Sequence, residues 1–150
     1  LNKLDETFYV YGFGKKRARK HLTFFNFSED GFIQHLASAK AVIIGGGLSL
    51  MSEAIYLKKP VFSVPLRNHY EQIMNAYYLQ KLKFGEHHQK PQLVDVHDFL
   101  LKLDLYQHYL GQYNFDPSEF PRKVEQVSRK AKKEPSRKRL RALQRILFAQ

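Results

Sequence analysis

The sequence predicts an α/β fold, an open and mainly parallel sheet flanked by helices, with a basic helical extension at the carboxyl end. Three observations predict it. Short apolar or β-branched runs alternate with amphipathic stretches in the order strand, helix, strand, helix, strand, helix, joined by brief connections. The run Ala41-Val42-Ile43-Ile44 is apolar at every position, as a strand buried on both faces requires, and passes through Gly45-Gly46-Gly47 directly into helical periodicity. Finally, 150 residues at 43% apolar and 26% charged make one core without staples; a chain of this size buries about 68–70% of its unfolded surface.

Residues 7–11, Thr-Phe-Tyr-Val-Tyr, are aromatic and β-branched and run into Gly12-Phe13-Gly14, a strand ending in a turn. A basic loop, residues 15–20, leads to a second strand over residues 22–27. Ser28-Glu29-Asp30 then supplies a helix N-cap with acid in the first turn, and Phe32, Leu36 and Ala39 with Ile33 and Ala37 form its apolar face. After the third strand and the glycine triplet, Leu48, Met51, Ala54 and Ile55 recur at helical spacing over residues 48–59, and Pro60 stops that helix. Residues 61–64 form a strand ended by Pro65. Residues 70–82 form a long amphipathic helix closed by Gly85. Beyond Pro91 the chain reads as helical throughout: residues 94–103, 106–109, and a basic stretch from Pro121 onward, broken near Pro135.

The chain contains no cysteine, which removes disulfides, thiolate metal sites and thiol nucleophiles together and leans the expected compartment toward cytoplasm. No apolar run approaches the roughly 18 residues of a membrane span. The opening Leu1-Asn2-Lys3-Leu4 shows neither an initiator methionine nor a signal pattern, so the chain is expected to be a piece of a longer protein. Its net charge of +11 is uneven, with residues 115–150 holding 11 Lys/Arg against 4 Asp/Glu. Such an excess points to anionic partners and divides the chain into an α/β domain over 1–114 and a basic extension over 115–150.

Chemistry concentrates at the strand-to-helix turns. A glycine triplet before a helix lets backbone approach a phosphate at a positive helix terminus, and equally serves as a tight turn with unhindered helix packing. No Gly-Lys-Ser/Thr follows it, which excludes a P-loop, and Leu50 stands where a dinucleotide fingerprint needs its third glycine. Glu53 can accept two hydrogen bonds from sugar hydroxyls or simply favour the helix dipole. Glu71 and Gln72, opening the next helix, suit a polyhydroxylated ligand or a solvated first turn. The seven histidines (21, 35, 69, 87, 88, 97, 108) show no metal-ligand spacing and read mostly as surface residues, His69 standing out because it adjoins Glu71-Gln72, and His87 and His88 as cations behind a helix end.

Taken together, Gly45-Gly46-Gly47, Ser52-Glu53-Ala54, Lys59-Pro60, Pro65, Glu71-Gln72 and Asn75-Ala76 resemble the donor-binding, carboxyl-terminal half of GT-B glycosyltransferases, a superfamily that includes family 28 transferases and UDP-glycosyltransferases. The spacing carries the resemblance: Gly47 six residues before Glu53, Pro60 seven after it, Pro65 five further on. It covers residues 7 to about 85. It implies a Rossmann-like domain lacking its first strand, with Glu53 on ribose hydroxyls, Glu71 and Gln72 on the donor sugar, and Gly46, Gly47, Leu48 and Ser49 holding the diphosphate at the helix start. Phe27 would stack on the base. The implied substrate is a UDP-sugar, with no cofactor or metal required and the catalytic base in an amino-terminal acceptor domain. The sequence departs from plant-type members at Gly45 and Leu50, so phosphate binding is expected to draw on backbone and on Lys15, Lys16 or Arg17.

Two rivals are a sugar-nucleotide 2-epimerase of the same fold, which usually carries acidic pairs after its glycine turn, and a nucleic-acid-binding protein using Phe24, Phe25 and Phe27. Those aromatics fall in a strand flanked by core helices, whereas stacking platforms need exposed rings. Nucleic acid is therefore not the expected partner. The basic tail, with nine Lys/Arg between Arg129 and Arg145 and with Leu140, Leu143, Ile146, Leu147 and Phe148 at near-helical spacing, is expected either to dock on its own domain or to meet an anionic inner membrane face.

Overall fold

The structure is a computed structural model, and it describes residues 4–14, 17, 18 and 20–114, with Glu125 and Arg129 beyond them. The expected basic helix lies outside the described residues except at those two, which are helical and joined by an i,i+4 ion pair of 2.7 Å. The chain divides into a unit Leu1–Tyr113, which holds all the described strands and the five helices α1–α5, and a unit Asn114–Gln150.

In order, the first unit contains β1 (Phe8–Val10), β2 (Leu22–Phe24), α1 (Glu29–Ser38), β3 (Val42–Ile44), α2 (Leu48–Tyr56), β4 (Val61–Ser63), α3 (Tyr70–Lys81), β5 (Gly85–His87), α4 (Leu93–Leu101) and α5 (Leu103–Gln112). All pairings are parallel: β1 with β2 in one sheet, and β3-β4-β5 in a second. The α/β class with parallel strands wrapped by helices is as expected from the alternation.

β4 is the strand buried on both faces. Val61, Phe62 and Ser63 are all fully buried, and alternate side chains enter two cores. Val61 joins Leu36, Met51, Ala54, Leu79, Phe84 and Leu110 on one face. Phe62 joins Leu4, Val96, Phe99 and Tyr106 on the other, its ring 5.3 Å from Phe99. The sequence places that double burial at β3, but β3 is an edge strand, and Ile43 is 38% exposed because nothing described covers it. Burial on both faces follows from a central position in the sheet, which apolar content alone does not reveal.

Helix ends also differ from expectation. Ser28 occupies the N-cap of α1 in extended conformation but its side chain makes no cap bond. On α1, Leu36 is buried while Ile33 and Ala37 face outward, and on α2 Leu48 is exposed while Met51 and Ala54 are buried. α2 ends before Pro60. Lys58 turns left-handed (φ 59°), its N–H donates to Ile55 O, and Lys59 N–H donates to Ala54 O. α3 ends the same way: Lys83 (φ 59°) donates to Gln80 O, and Phe84 N–H to Leu79 O. These are Schellman closures with lysine where glycine is commonest. Each lysine gains tertiary partners, Lys58 Nζ on the carbonyls of Leu110 and Tyr113, and Lys83 Nζ on the Tyr109 hydroxyl at 2.9 Å.

Gly85 is thereby released from capping α3. It opens β5, a strand whose sequence, Gly-Glu-His, carries no β signal, and it pairs opposite Val61. A Cβ at Gly85 would penetrate the Val61 carbonyl and its neighbouring backbone atoms, so β5 can lie against β4 only with glycine there. His87 and His88 accordingly belong to β5 and its end, not to a helix terminus. His87 Nδ1 is buried without a hydrogen-bond partner among the described residues, and burial followed by the neighbouring His88 charge lowers its pKa. Of the seven histidines, His21, His35, His87 and His88 are half-buried, and only His69, His97 and His108 are exposed.

The middle residue of β5 anchors the last two helices. Glu86 accepts hydrogen bonds from Lys102 Nζ (2.8 Å) and the Tyr106 hydroxyl, and His88 Nε2 stands 3.5 Å away. Burial opposes its ionisation, but the bonds from Lys102 and Tyr106, the Lys102 charge and His88 outweigh it, so its pKa lies below the ordinary 4.5. Burial and the Glu86 bond push the Tyr106 phenol up, and the bond to Glu86 raises Lys102.

Two tests follow from this packing. Gly85→Ala is expected to lower unfolding free energy by at least about 3 kcal/mol, measured by urea denaturation, since the clash is with backbone that cannot rotate away. Glu86→Gln is expected to cost about 1–2 kcal/mol at pH 7. Because the folded pKa of Glu86 is depressed, its contribution is complete above the unfolded value and disappears as pH falls below 4.5 through the folded value. The gap between wild type and variant should therefore close on acidification; a gap independent of pH would contradict this account.

Candidate functional site

The carboxyl ends of β3 and β4 feed two loops, the glycine turn before α2 and residues 64–69 before α3. Open parallel sheets bind ligands at this end. The two loops are tied together by the first turns of α3. Gln72 Oε1 accepts from Leu66 N–H at 3.0 Å and from Gly46 N–H at 3.4 Å. Asn75 Nδ2 donates to Gly46 O at 3.0 Å, and the buried Ser63 hydroxyl donates to Gly45 O at 3.3 Å. His69 caps α3, its Nδ1 accepting from Gln72 N–H at 3.4 Å.

The three glycines have different tasks. Gly46 is buried, and a Cβ there would meet Gln72 Cβ and O at 2.5 Å, so its bareness serves the approach of α3. Gly47 is open: it is exposed, nothing stands within 4 Å of a Cβ, and its φ of −67° suits any residue. The two readings left open by the triplet are thus divided between neighbours, helix packing at Gly46 and space at Gly47.

Gly47 is the N-cap of α2, with no side-chain cap bond and no acid in the first turn. Helices α1, α3, α4 and α5 each carry an acid there. The first N–H groups of α2, on Leu48, Ser49 and Leu50, carry the positive end of a nine-residue helix with no carboxylate of their own turn to answer it. Leu48 and Ser49 are exposed at this terminus, and Glu53 is exposed one turn further on. An anion fits this end of the helix electrostatically.

Of the residues singled out in the sequence, the structure brings Gly46 and Gln72 together through a hydrogen bond, with Gly47, Leu48, Ser49 and Glu53 following on the same turn and helix. Glu71 is exposed on the first turn of α3. Phe27 is 72% exposed on the segment between β2 and α1, where its ring packs on Phe32 at 5.8 Å. Among the described residues, no hydrogen bond or ring contact joins Phe27, Glu53 or Glu71 to the glycine turn. Lys15 and Lys16 lie outside the described residues, and Arg17 is exposed. Gln72 has a structural task that sequence reasoning did not assign, since its oxygen holds two loops; its Nε2 makes no hydrogen bond among the described residues. Ser63 also shapes the turn, and a serine in an otherwise apolar strand was the available signal; His69, singled out for its place beside Glu71-Gln72, serves as the cap of α3.

The family model for glycosyl transferase family 1 matches residues 1–104. The chain belongs to that family. It is a transferase domain of GT-B type, and its glycine turn stands at the carboxyl ends of the parallel strands of a Rossmann-like half. No curated protein and no solved structure gives a significant match.

Paired substitutions separate the two glycines of this family 1 domain. Gly46→Ala should displace α3 and cost about 2 kcal/mol or more of stability, while Gly47→Ala should stay within about 0.5 kcal/mol of wild type. Thermal unfolding of both variants side by side measures this, and equal losses would contradict the division of roles.

Proposed function

We propose that this domain is the donor-binding half of a family 1 glycosyltransferase and that its donor is a nucleotide-sugar, UDP-sugar by the resemblance to family 28 and UDP-glycosyltransferases. The observation that carries the reading is the start of α2: open at Gly47, with no side-chain cap bond and no first-turn acid, which suits a phosphorylated donor. The diphosphate would lie on the N–H groups of Gly47, Leu48 and Ser49, and Glu53 would accept the ribose hydroxyls. Glu71 and the Nε2 of Gln72 would read the donor sugar, and Phe27 the base. A helix terminus can stabilise a leaving diphosphate without metal.

The acceptor site and general base belong, on this reading, to an amino-terminal half, so that the 150-residue chain binds donor but transfers nothing alone. The expected acceptor is lipid-linked or a cell-envelope glycan, met at the cytoplasmic membrane face through the basic tail of residues 135–150. The family match favours transfer over epimerisation or nucleic-acid binding.

Titration calorimetry with UDP tests the reading. The chain is expected to bind UDP, and Glu53→Ala, exposed and remote from the core, is expected to weaken binding about ten- to hundredfold, as loss of charge-assisted bonds to a diol implies. Unchanged affinity in the folded variant would remove the ribose role. Absence of any UDP binding would remove the donor assignment.

A further inference from the structure

The connections from α2 to β4 and from α3 to β5 lie side by side. β4 and β5 are parallel neighbours with Val61 opposite Gly85, so Lys58-Lys59-Pro60 enters the sheet beside Leu82-Lys83-Phe84. The last turn of α5 closes on the same place. Lys58 Nζ donates to Leu110 O at 2.9 Å and stands 5.6 Å from the Tyr113 ring centre, Lys83 Nζ lies 4.6 Å from that of Tyr109, and Phe84 packs on Tyr113 at 5.2 Å. Lys81 Nζ stands 5.7 Å from the ring centre of Tyr78, which packs edge-on against Tyr77. Three helix ends therefore share one face, at the amino ends of the strands, opposite the end that carries the glycine turn.

The composition of this face is one-sided. Residues 54–60, 76–84 and 107–113 contain four lysines and His108, and no aspartate or glutamate. Lysine–carboxylate ion pairs among the described residues are those of Lys40 and Lys102, so none of these four is neutralised there. One cation at each helix end would answer the dipole; here two stand at each, Lys58 and Lys59 behind α2, Lys81 and Lys83 at the end of α3. Tyr77, Tyr78, Leu82 and Tyr113 are exposed between them.

We propose that this face rests on an anionic lipid surface. Lysine carries its charge on a long apolar stem, and tyrosine has an apolar body with a polar tip, so both suit a boundary that is wet on one side and apolar on the other. Protein interfaces are depleted of lysine. Nucleic acid is matched better by arginine and by open rings, whereas the three segments hold no arginine, and the rings of Tyr78, Tyr109 and Tyr113 already carry lysines. The face lies wholly within residues up to 113, so its binding requires neither the basic tail nor a nucleotide. With this face on lipid, the glycine turn at the other end of the strands stays open to a soluble donor; that consequence alone rests on the nucleotide-sugar reading.

Fluorescence on vesicles tests the proposal without any nucleotide. The chain has no cysteine, so a single Tyr77→Cys can carry a polarity-sensitive dye, with Asn26→Cys, exposed beyond the carboxyl end of β2, as reference. Both are made in the 150-residue chain, with and without replacement of the nine Lys/Arg of residues 129–145 by Gln. Each is mixed with vesicles of phosphatidylcholine alone or with about 30% phosphatidylserine. The dye at 77 should shift to the blue on phosphatidylserine vesicles only, whether or not the tail is charged, and the dye at 26 should not. Lys59→Gln with Lys81→Gln, which leaves the capping residues Lys58 and Lys83 in place, should weaken partitioning about tenfold or more at low salt with thermal unfolding unchanged. The proposal is overturned if the tail-neutralised chain does not bind the anionic vesicles, if the dye at 77 shifts no more than that at 26, or if the two lysines can be replaced without loss. A shift at 77 on a single-stranded oligonucleotide, with none on vesicles, would overturn it in favour of nucleic acid.

Discussion

Contact of backbone on backbone at the two ends of α3 is the constraint on which the rest of this domain depends. At its start, Gln72 lies against Gly46 with no room for a Cβ; just past its end, Gly85 lies against the carbonyl of Val61. The first contact sets the position of the turn before α2, and the second sets the register of β5 on β4. Together they hold one helix between two strand ends, and the side chains of Gln72 and Asn75 convert that position into hydrogen bonds to both Gly46 N–H and O. The glycine contacts leave no room for added volume at either end of α3, whose Leu79 packs into the core between them.

The same arrangement explains why the glycine turn can be open and still ordered. Gly47 and the first turn of α2 have no side-chain cap, and a loop with three glycines carries a large entropic cost of ordering. That order is supplied by the hydrogen bonds of Ser63, Gln72 and Asn75, while nothing beyond its chain neighbours stands within 4 Å of a Cβ at Gly47. Support from one side fixes the turn while Gly47, Leu48 and Ser49 stay exposed.

Away from the turn, polar anchoring replaces glycine as the organising device. Glu86 sits on β5 within reach of Lys102 and Tyr106, so the junction of α4 and α5 is pinned to the sheet through one carboxylate. His88 stacks on Phe62 at 5.2 Å and approaches Asp95 at 3.7 Å, tying the start of α4 to the same strand end. The two left-handed lysines do comparable work for α5, Lys58 at its last carbonyls and Lys83 at Tyr109. Each joins a helix end to a neighbouring element, a task glycine could not perform even though it would adopt the turn at lower cost.

The α/β class, the positions of β1 to β4, the three helices that follow β2, β3 and β4, and the glycine turn were legible in the sequence because each rests on a local period or a residue with special backbone freedom. Residues 41–44, 48–56 and 70–81 carry their signal within a dozen positions. β5 was not legible. Gly-Glu-His has neither alternation nor β-branching, and it becomes a strand only because β4 offers a free edge and Gly85 alone fits beside Val61. Nor could sequence tell which strand is buried on both faces, since β3 is the more uniformly apolar yet has one neighbour among the described residues, whereas β4, with its serine, has two. The roles of Gly46 and Gly47 were equally undecided. They are identical residues in one triplet, and only the passage of α3 against the first and open space around the second make one a packing residue and leave the other unhindered.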